Sequence, residues 1–352
     1  GFRIMNLHLL VPSLFWPDAS LPEIYRDLPL PELENLLAKS LCTDDILQKQ
    51  EVQAWLCRAF GVSKQQDWPV APITLEADSV DNAKAGADYW VRADPVHLRI
   101  EHDQILLADS RVFRISMEEA GQLTGLLNRH FEENGQEIVF VPLRPDRWYL
   151  RVTAIPPAET HLLSEVANKG INELLPFGTN NIVWRGLFNE VQMLLHEHPL
   201  NQSREARGEP AINGTWFWGG GIMPQSMTSP YTHVWSDDVL AGSLALASGT
   251  NQTRLPPDAA TWHQSATPGN HLVVLDSLYG KAQYADAYGW RESLKELERR
   301  WFAPLLAMSK QGKFDQLTLS VISGHKTKNF ALGRGDLRKF WRSAKPLSSY
   351  AR

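Results

Sequence analysis

Hydrophobic and polar positions fall into three successive textures along this chain. Near the start, "LHLLVPSL" is an apolar run stopped by Pro12 and Pro17, which predicts a first strand. Proline-punctuated segments follow, then "DDILQKQEVQAWLCRAFGV", where Ile46, Val52, Trp55 and Leu56 line one side of a helix. From Asp88 the pattern changes to period two. "YWVRADPVHLRIEHDQILLADSRVFRIS" predicts two or three short strands with a turn near His102, Asp103 and Gln104. "SMEEAGQLTGLLNRHFEENG" predicts a helix opened by a Ser116/Glu119 capping box and stopped at Gly135. "EIVFVPL" and "RWYLRVTAI" are two more strands across a polar turn, and "NNIVWRGLFNEVQMLLHEHPLN" is a helix ended at Pro199.

The third texture begins with "HLVVLDSL", a short, wholly apolar run ending in Asp276, the pattern of a central parallel strand covered on both faces. Trp290, Leu294, Leu297, Trp301 and Leu305 then recur at helical spacing, Gly312 stops the helix, and "FDQLTLSVISGHKT" is another strand. Strand, helix and strand at this spacing make a βαβ unit. The chain therefore reads as α/β: a doubly wound core sheet, residues 1–85 and 210–352, interrupted by an inserted α+β domain, residues 86–209.

At 352 residues, two domains are expected, and 43% hydrophobic with 21% charged content is ordinary for a globular chain. No apolar run reaches the 18 residues of a membrane span, so no membrane partner is expected. The opening residues lack a small-residue cleavage pattern and read as a strand; Gly1 is not an initiating residue, so the native N-terminus is expected elsewhere. A net charge of −5 with mixed signs argues against a phosphate-backbone partner, hence no nucleic acid. Cys42 and Cys57 form no disulfide framework and no CxxC, which makes a reducing cytoplasm the expected location. The 13 tryptophans are expected mostly in the core or at domain seams.

Candidate chemistry is sparse. His196 and His198 sit at i and i+2 of a helix and face different ways, and His97 and His102 fall on opposite faces of a strand. Neither pair is a metal site, which needs three or more converging groups. Asp276 and His325 lie just past the carboxyl ends of predicted central strands, where open α/β sheets bind ligands but where capping residues also stand. Arg92, Arg99, Arg111, Arg114, Arg147, Arg151 and Arg185 mark the middle block, with Arg204 and Arg207 after it. Arginine suits bidentate recognition of carboxylate or phosphate, and it equally suits pairing with the acids of the same block. In "PAINGTWFWGGGIMP", large rings run straight into three glycines. Without Gly-Lys-Ser/Thr or GxGxxG spacing it fails as a nucleotide loop, and it reads either as close backbone passage or as a turn.

These motifs, in order, resemble those of the archaeal-type cofactor-independent phosphoglycerate mutases of the alkaline phosphatase superfamily. "HPLNQSREARGEPAINGTWFWGGG" is similar to that family's His-Pro-x-Asn-x-x-Arg and Pro-Ala-Asn elements with their aromatic-glycine segment. "VRADPV" is similar to its Arg-Ala-Asn element. "LADSRVFRI" is similar to Asp-Arg-Arg-Ala-Gly-Arg-Ile, with Asp109, Arg111 and Arg114 matching and Ser110 replacing an arginine. "DRWYLRV" keeps Arg147 and has Asp146 in a histidine's place. The resemblance implies an alkaline-phosphatase-like core, an inserted substrate-binding domain, and phospho-ligand binding by Arg92, Arg111, Arg114, Arg147 and Arg204 in a pocket between insert and core.

The same resemblance exposes departures. Pro12 and Ser13 stand where the family's first strand carries a metal-binding aspartate, and Gly324 takes the aspartate's place in "SGHKT". Asp276, and Asp286 beyond it, survive in a segment that has lost its histidine, and no nucleophilic serine segment is found in the shortened 41–87 region. Two-metal phosphoryl transfer wants about six protein ligands, and this chain offers one or two. The expectation is thus a catalytically degenerate relative, with no metal and no cofactor, that binds a small phosphorylated or carboxylated metabolite in a regulatory role; Asp276 and His325 would be remnants of the core site. An active metal-dependent mutase or phosphohydrolase and a protein-interaction module are the alternatives. The basic, aromatic tail "DLRKFWRSAKPLSSYAR" reads either as a partner contact or as a final helix laid on the core. "PAINGTWFWGGGIMP" is then expected to be structural, packing where the insert returns to the core.

Overall fold

The computed structural model describes residues 3–45, 50–81, 83–324 and 326–351. Two compact units emerge: Gly1–Phe60 with Thr228–Arg352, and Gly61–Met227. Strands β1 (Met5–Pro12) and β2 (Leu41–Asp45) open the chain. Then come β3 (Tyr89–Glu101), β4 (Gln104–Ala108), β5 (Phe140–Arg144), β6 (Arg147–Val152), β7 (Lys169–Gly170) and β8 (Gly214–Ile222). The last five are β9 (His233–Trp235), β10 (Asn251–Thr253), β11 (Gly269–Val274), β12 (Gln316–Ser323) and β13 (Lys326–Gly333).

In the first unit these strands form one sheet in the order β10-β9-β11-β1-β12-β13-β2. β1 lies parallel between β11 and β12, and β13 and β2 add an antiparallel edge. Alternation decides the packing. Leu7, Leu9 and Val11 join one large core cluster with Trp290, Leu294, Phe302 and Leu305, while His8 faces the other way against Trp55. The predicted βαβ unit is present, its two strands flanking β1. Its helix runs Ala287–Leu297, passes through a π turn at Glu298–Phe302, and resumes as Ala303–Lys310. Pro304 explains the interruption: it has no N–H for the carbonyl four residues back, and the wider turn absorbs the misfit.

In the second unit the sheet order is β5-β6-β3-β4-β7, with β8 paired to β3. The capping box at Ser116 is formed in both directions, opening a helix over Met117–Glu133. A second helix, Asn181–His196, packs against that helix and against β8. A short helix at Val70–Asp78, not read from the sequence, lies on β3 and β8 and buries Ala71 and Leu75 beside Tyr149.

The run of rings and glycines proves to be a buried strand, and its glycines have two separate causes. Trp90 pairs with Gly221 and Arg92 with Trp218, so Gly219 and Gly220 together oppose Val91. That is a β-bulge, and Gly219 at φ 66° supplies the left-handed residue it needs. Gly221 permits close passage: a Cβ there would stand 2.5 Å from Pro69 Cβ and 3.0 Å from Pro69 Cα. Gly221→Ala is therefore expected to cost about 1–3 kcal/mol by overpacking, measurable as a lower midpoint in urea at unchanged slope.

Three local expectations are corrected and one is narrowed. The helix read over "DDILQKQEVQAWLCRAFGV" is confined to Val52–Ala59, because Leu41–Asp45 is drawn out as edge strand β2 beside β13; Ile46 lies outside the described residues. Of the two or three strands read over "YWVRADPVHLRIEHDQILLADSRVFRIS", two form, since the chain turns at Ser110 and Arg111 into the Ser116 cap. Pro199 does not merely end a helix but starts the next, Pro199–Ala206, where its missing N–H costs nothing and His198 caps Leu200 N. The tail forms two 3₁₀ turns, Asp336–Arg338 and Leu347–Tyr350, in place of a final helix. Phe340 and Trp341 there are 87% and 67% exposed. No helix among the described residues is long and apolar enough to cross a membrane.

Candidate functional site

The chemistry of the second unit gathers around Arg92. Its place on β3 is in register with Tyr149 of β6 on one side and Trp218 of β8 on the other. The guanidinium lies over both rings, 5.3 Å and 4.9 Å from their centroids. Two residues on, and so on the same face, Asp94 takes a bidentate pair from Arg92, Nε–Oδ1 3.0 Å and Nη2–Oδ2 2.8 Å. Asp94 also accepts from Trp148 N and Trp218 Nε1, and Arg92 Nη1 donates to Thr74 Oγ1. Burial pushes the Asp94 carboxyl up, while Arg92 and the indole N–H pull it back.

A second pair is bolted to the first. Arg147 donates from Nε and Nη2 to Asp78, both at 2.8 Å, and Tyr149 Oη donates to the same carboxylate at 2.6 Å. Burial works against charge on Asp78, but Arg147 and Tyr149 outweigh it and hold the carboxyl below its usual range. Thr74 lies within hydrogen-bond reach of both Tyr149 Oη and Arg92, closing the network. Arg147 keeps 23% of its side chain exposed, unlike Arg92. Beside it, Ser110 Oγ donates to Asp146 Oδ2 at 3.0 Å, bringing the turn after β4 against the β5–β6 hairpin.

Arg204 belongs to a different arrangement. It is 1% exposed and donates to Glu119 (2.7 Å), to the Pro210 carbonyl and to the Arg114 carbonyl (2.9 Å). It thereby pins the backbone of the segment that carries Arg111 and Arg114, whose side chains are exposed. Of the five arginines read from the sequence, then, Arg92 and Arg147 share one network, Arg204 holds the neighbouring segment from beneath, and Arg111 and Arg114 stand on its surface. Arg92, Arg147 and Arg204 are engaged by carboxylates of their own unit. Asp78, Thr74, Tyr149 and Glu119 were missed as partners. Only the i, i+2 spacing that puts Arg92 and Asp94 on one face of a strand was open to reading beforehand.

In the first unit, Ser13, Asp276 and Gly324 stand past the carboxyl ends of β1, β11 and β12, and Ser323 is the last residue of β12. Asp276 is half-buried; His325 lies outside the described residues. Ser13 is buried at φ 63° with its N–H on the Ile322 carbonyl. Two-metal phosphoryl transfer calls for clustered carboxylates and imidazoles. Among the described residues, which leave out His325, no three His, Cys, Asp or Glu gather to hold a metal. Deeper in the same sheet, His8 Nε2 lies 2.6 Å from Ser320 Oγ and Nδ1 3.1 Å from Tyr231 Oη, and Ser320 donates to Asn329 Oδ1 at 2.6 Å. One tautomer satisfies all of them: Tyr231 donates to Nδ1, and Nε2–H donates to Ser320.

Comparison with known proteins agrees with the motif reading. Residues 74–201 match the sequence model of the family described as 2,3-bisphosphoglycerate-independent phosphoglycerate mutase. The enzyme of that name from Methanosarcina barkeri (strain Fusaro / DSM 804) is 32% identical over 153 residues, 43% of this chain and 37% of the relative's length. Among solved structures, the PH0037 protein from Pyrococcus horikoshii superposes with a TM-score of 0.52 at 13% identity, over 95% of this chain and 88% of the other. The cofactor-independent phosphoglycerate mutase of Thermoplasma acidophilum DSM 1728 reaches 0.47 at 13% identity, over 98% and 94%. Residues 74–201 are thus similar to phosphoglycerate mutases, while the relative is matched over little more than a third of its length; the two-sheet α/β architecture is the fold class expected from the sequence.

Proposed function

We propose that this phosphoglycerate-mutase-like protein binds a small phosphorylated or carboxylated metabolite on the second unit without turning it over. Arg111, Arg114 and Arg147 make the anion contacts, and Arg92 and Arg204 are positioning residues that act from the interior. The observation that carries this reading is the part-exposed Arg147, fixed bidentately on Asp78 beside the Ser110–Asp146 contact. A guanidinium held in place by one carboxylate loses less freedom when a second anion arrives. The motif departures at the strand ends of the first unit, with Pro12, Ser13 and Gly324 where the resemblance calls for aspartates, support the non-catalytic half of the reading.

Calorimetric titration with phosphoglycerate tests the binding. The wild-type chain is expected to bind saturably, and the Arg111→Ala/Arg114→Ala double variant at least tenfold more weakly, because both side chains are exposed and their loss spares the fold. Equal affinity in the two proteins would remove the site. Mutase and phosphatase assays with Mg²⁺ or Mn²⁺ in excess test the other half: turnover would make the chain an active enzyme and discard the degenerate reading.

A further inference from the structure

A cavity of about 300 Å³ opens in the first unit at the carboxyl end of β12. Its walls are aromatic and its polar groups few: Phe15, Trp16 and Tyr350 line it together with Ser323, Lys326 and Lys328. Ligands of open α/β sheets bind at the carboxyl ends of the strands, so the position is chemically suggestive in its own right. Lys326 and Lys328 are two residues apart on β13, opposite Ser323 and Val321 of β12, which puts both on the same face. Lys328 Nζ is aimed by a 2.7 Å bond to the Tyr350 carbonyl. Lys326 is exposed and makes no ion pair among the described residues. Among the described residues no carboxylate lines the cavity; Asp18, next in sequence to the lining residues Pro17 and Ala19, spends Oδ1 on Ser20 N and Oγ.

Two further donors are uncommitted. Ser323 Oγ accepts from Phe15 N at 3.2 Å and keeps its own proton to give. Trp16 is 6% exposed, and its indole Nε1 has no hydrogen-bond partner. Cations and donors over an aromatic floor, with no acid among the lining side chains, specify an anion with an apolar body. One hydroxyl and two ammonium groups, one of them tied to a carbonyl, suit a single negative charge better than a dianion, whose desolvation costs more.

We propose that this cavity binds a small aromatic or branched-chain carboxylate, its carboxylate at Lys326 and Ser323 and its apolar body against Phe15, Trp16 and Tyr350. The proposal is independent of the arginines of the second unit.

Titration of the full chain with phenylacetate, followed by the indole ¹⁵N–¹H signals, is the test, the Trp16 signal being assigned by its loss in Trp16→Phe. Saturable binding that shifts the Trp16 signal, weakens at least tenfold in Lys326→Glu and persists in Arg111→Ala/Arg114→Ala is the expected result. Benzyl alcohol, with the same ring and no charge, is expected to bind at least tenfold more weakly. Thermal melts of Lys326→Glu verify folding, and Lys326→Gln gives the same comparison without reversing the charge. No saturable shift at Trp16, equal binding of benzyl alcohol, or equal affinity in both Lys326 variants would each overturn the proposal.

Discussion

Replacing Arg92 by methionine is expected to destabilise the second unit by about 3–5 kcal/mol, the range for breaking a buried ion pair from one side. Methionine fills much of the space over Tyr149 and Trp218, so lost packing is the smaller part. The larger part is Asp94, 2% exposed, which would keep Trp148 N and Trp218 Nε1 but lose both guanidinium bonds and its ion pair. The carboxyl must then stay charged and unpaired or take a proton, so its folded pKa, already raised by burial, rises further above the unfolded value. An acid shifted upward costs stability above its unfolded pKa, and the cost vanishes as pH falls through that value. Arg92→Met should therefore be most damaging near pH 7 and approach wild type near pH 4. Urea unfolding at both pH values checks this. A second substitution, Asp94→Leu, should restore part of the loss and abolish its pH dependence, leaving the cost of two N–H groups without an acceptor. A loss that is the same at both pH values would mean that packing, not the carboxylate, is what Arg92 supports.

The second large effect is expected from His8 in the first unit. Burial between β12, Trp55 and Tyr231 pushes its pKa down to about 4 from an ordinary 6.5. The unfolded chain then binds the proton first. Stability from this group is whole above pH 6.5 and falls as pH drops toward 4, at about 1.4 kcal/mol per pH unit and about 3 kcal/mol in all. Glu298 works in the opposite sense. Burial pushes it up to about 7, so it costs stability as pH rises from its unfolded value through 7. The wild-type profile is a sum of such terms, and the difference between wild type and His8→Gln isolates the histidine. The variant should lose stability at neutral pH, where Tyr231 and Ser320 forfeit a well-placed partner, and lose less on acidification. Parallel stability profiles from pH 7 to 4.5 would show that His8 does not carry the acid sensitivity.

Much of the fold was written in local sequence. Period-two runs at 89–108 and 140–152, the Ser116/Glu119 box, and the apolar strands at 5–12, 269–274 and 316–323 each depend on neighbours a few residues away. The burial of Trp148, Trp184, Trp216, Trp262 and Trp290 likewise follows from what an indole gains on leaving water. The order of strands did not follow from any of this. Nothing local says that β1 lies between β11 and β12, or that residues 41–45 leave a helical context to pair with β13.

The same division runs through the candidate site. Sequence singled out Arg92, Arg111, Arg114, Arg147 and Arg204, and resemblance gave them a shared task, because a residue's type and its motif are properties of the chain. What each guanidinium faces is a property of space. Asp78 meets Arg147 from 69 positions away and Glu119 meets Arg204 from 85. An arginine satisfied by an internal carboxylate and one left at the surface look the same in one dimension. The triple glycine is the sharpest case: its composition announced a backbone constraint, but only the pairing with β3 and the approach of Pro69 divide it into a bulge at Gly219 and a close contact at Gly221. Sequence by itself determined most of the elements and the core rings, since these depend on local spacing and residue type. Tertiary structure alone decided which charges are spent on one another, because ion pairing is set by distance in space and falls off within a few ångströms.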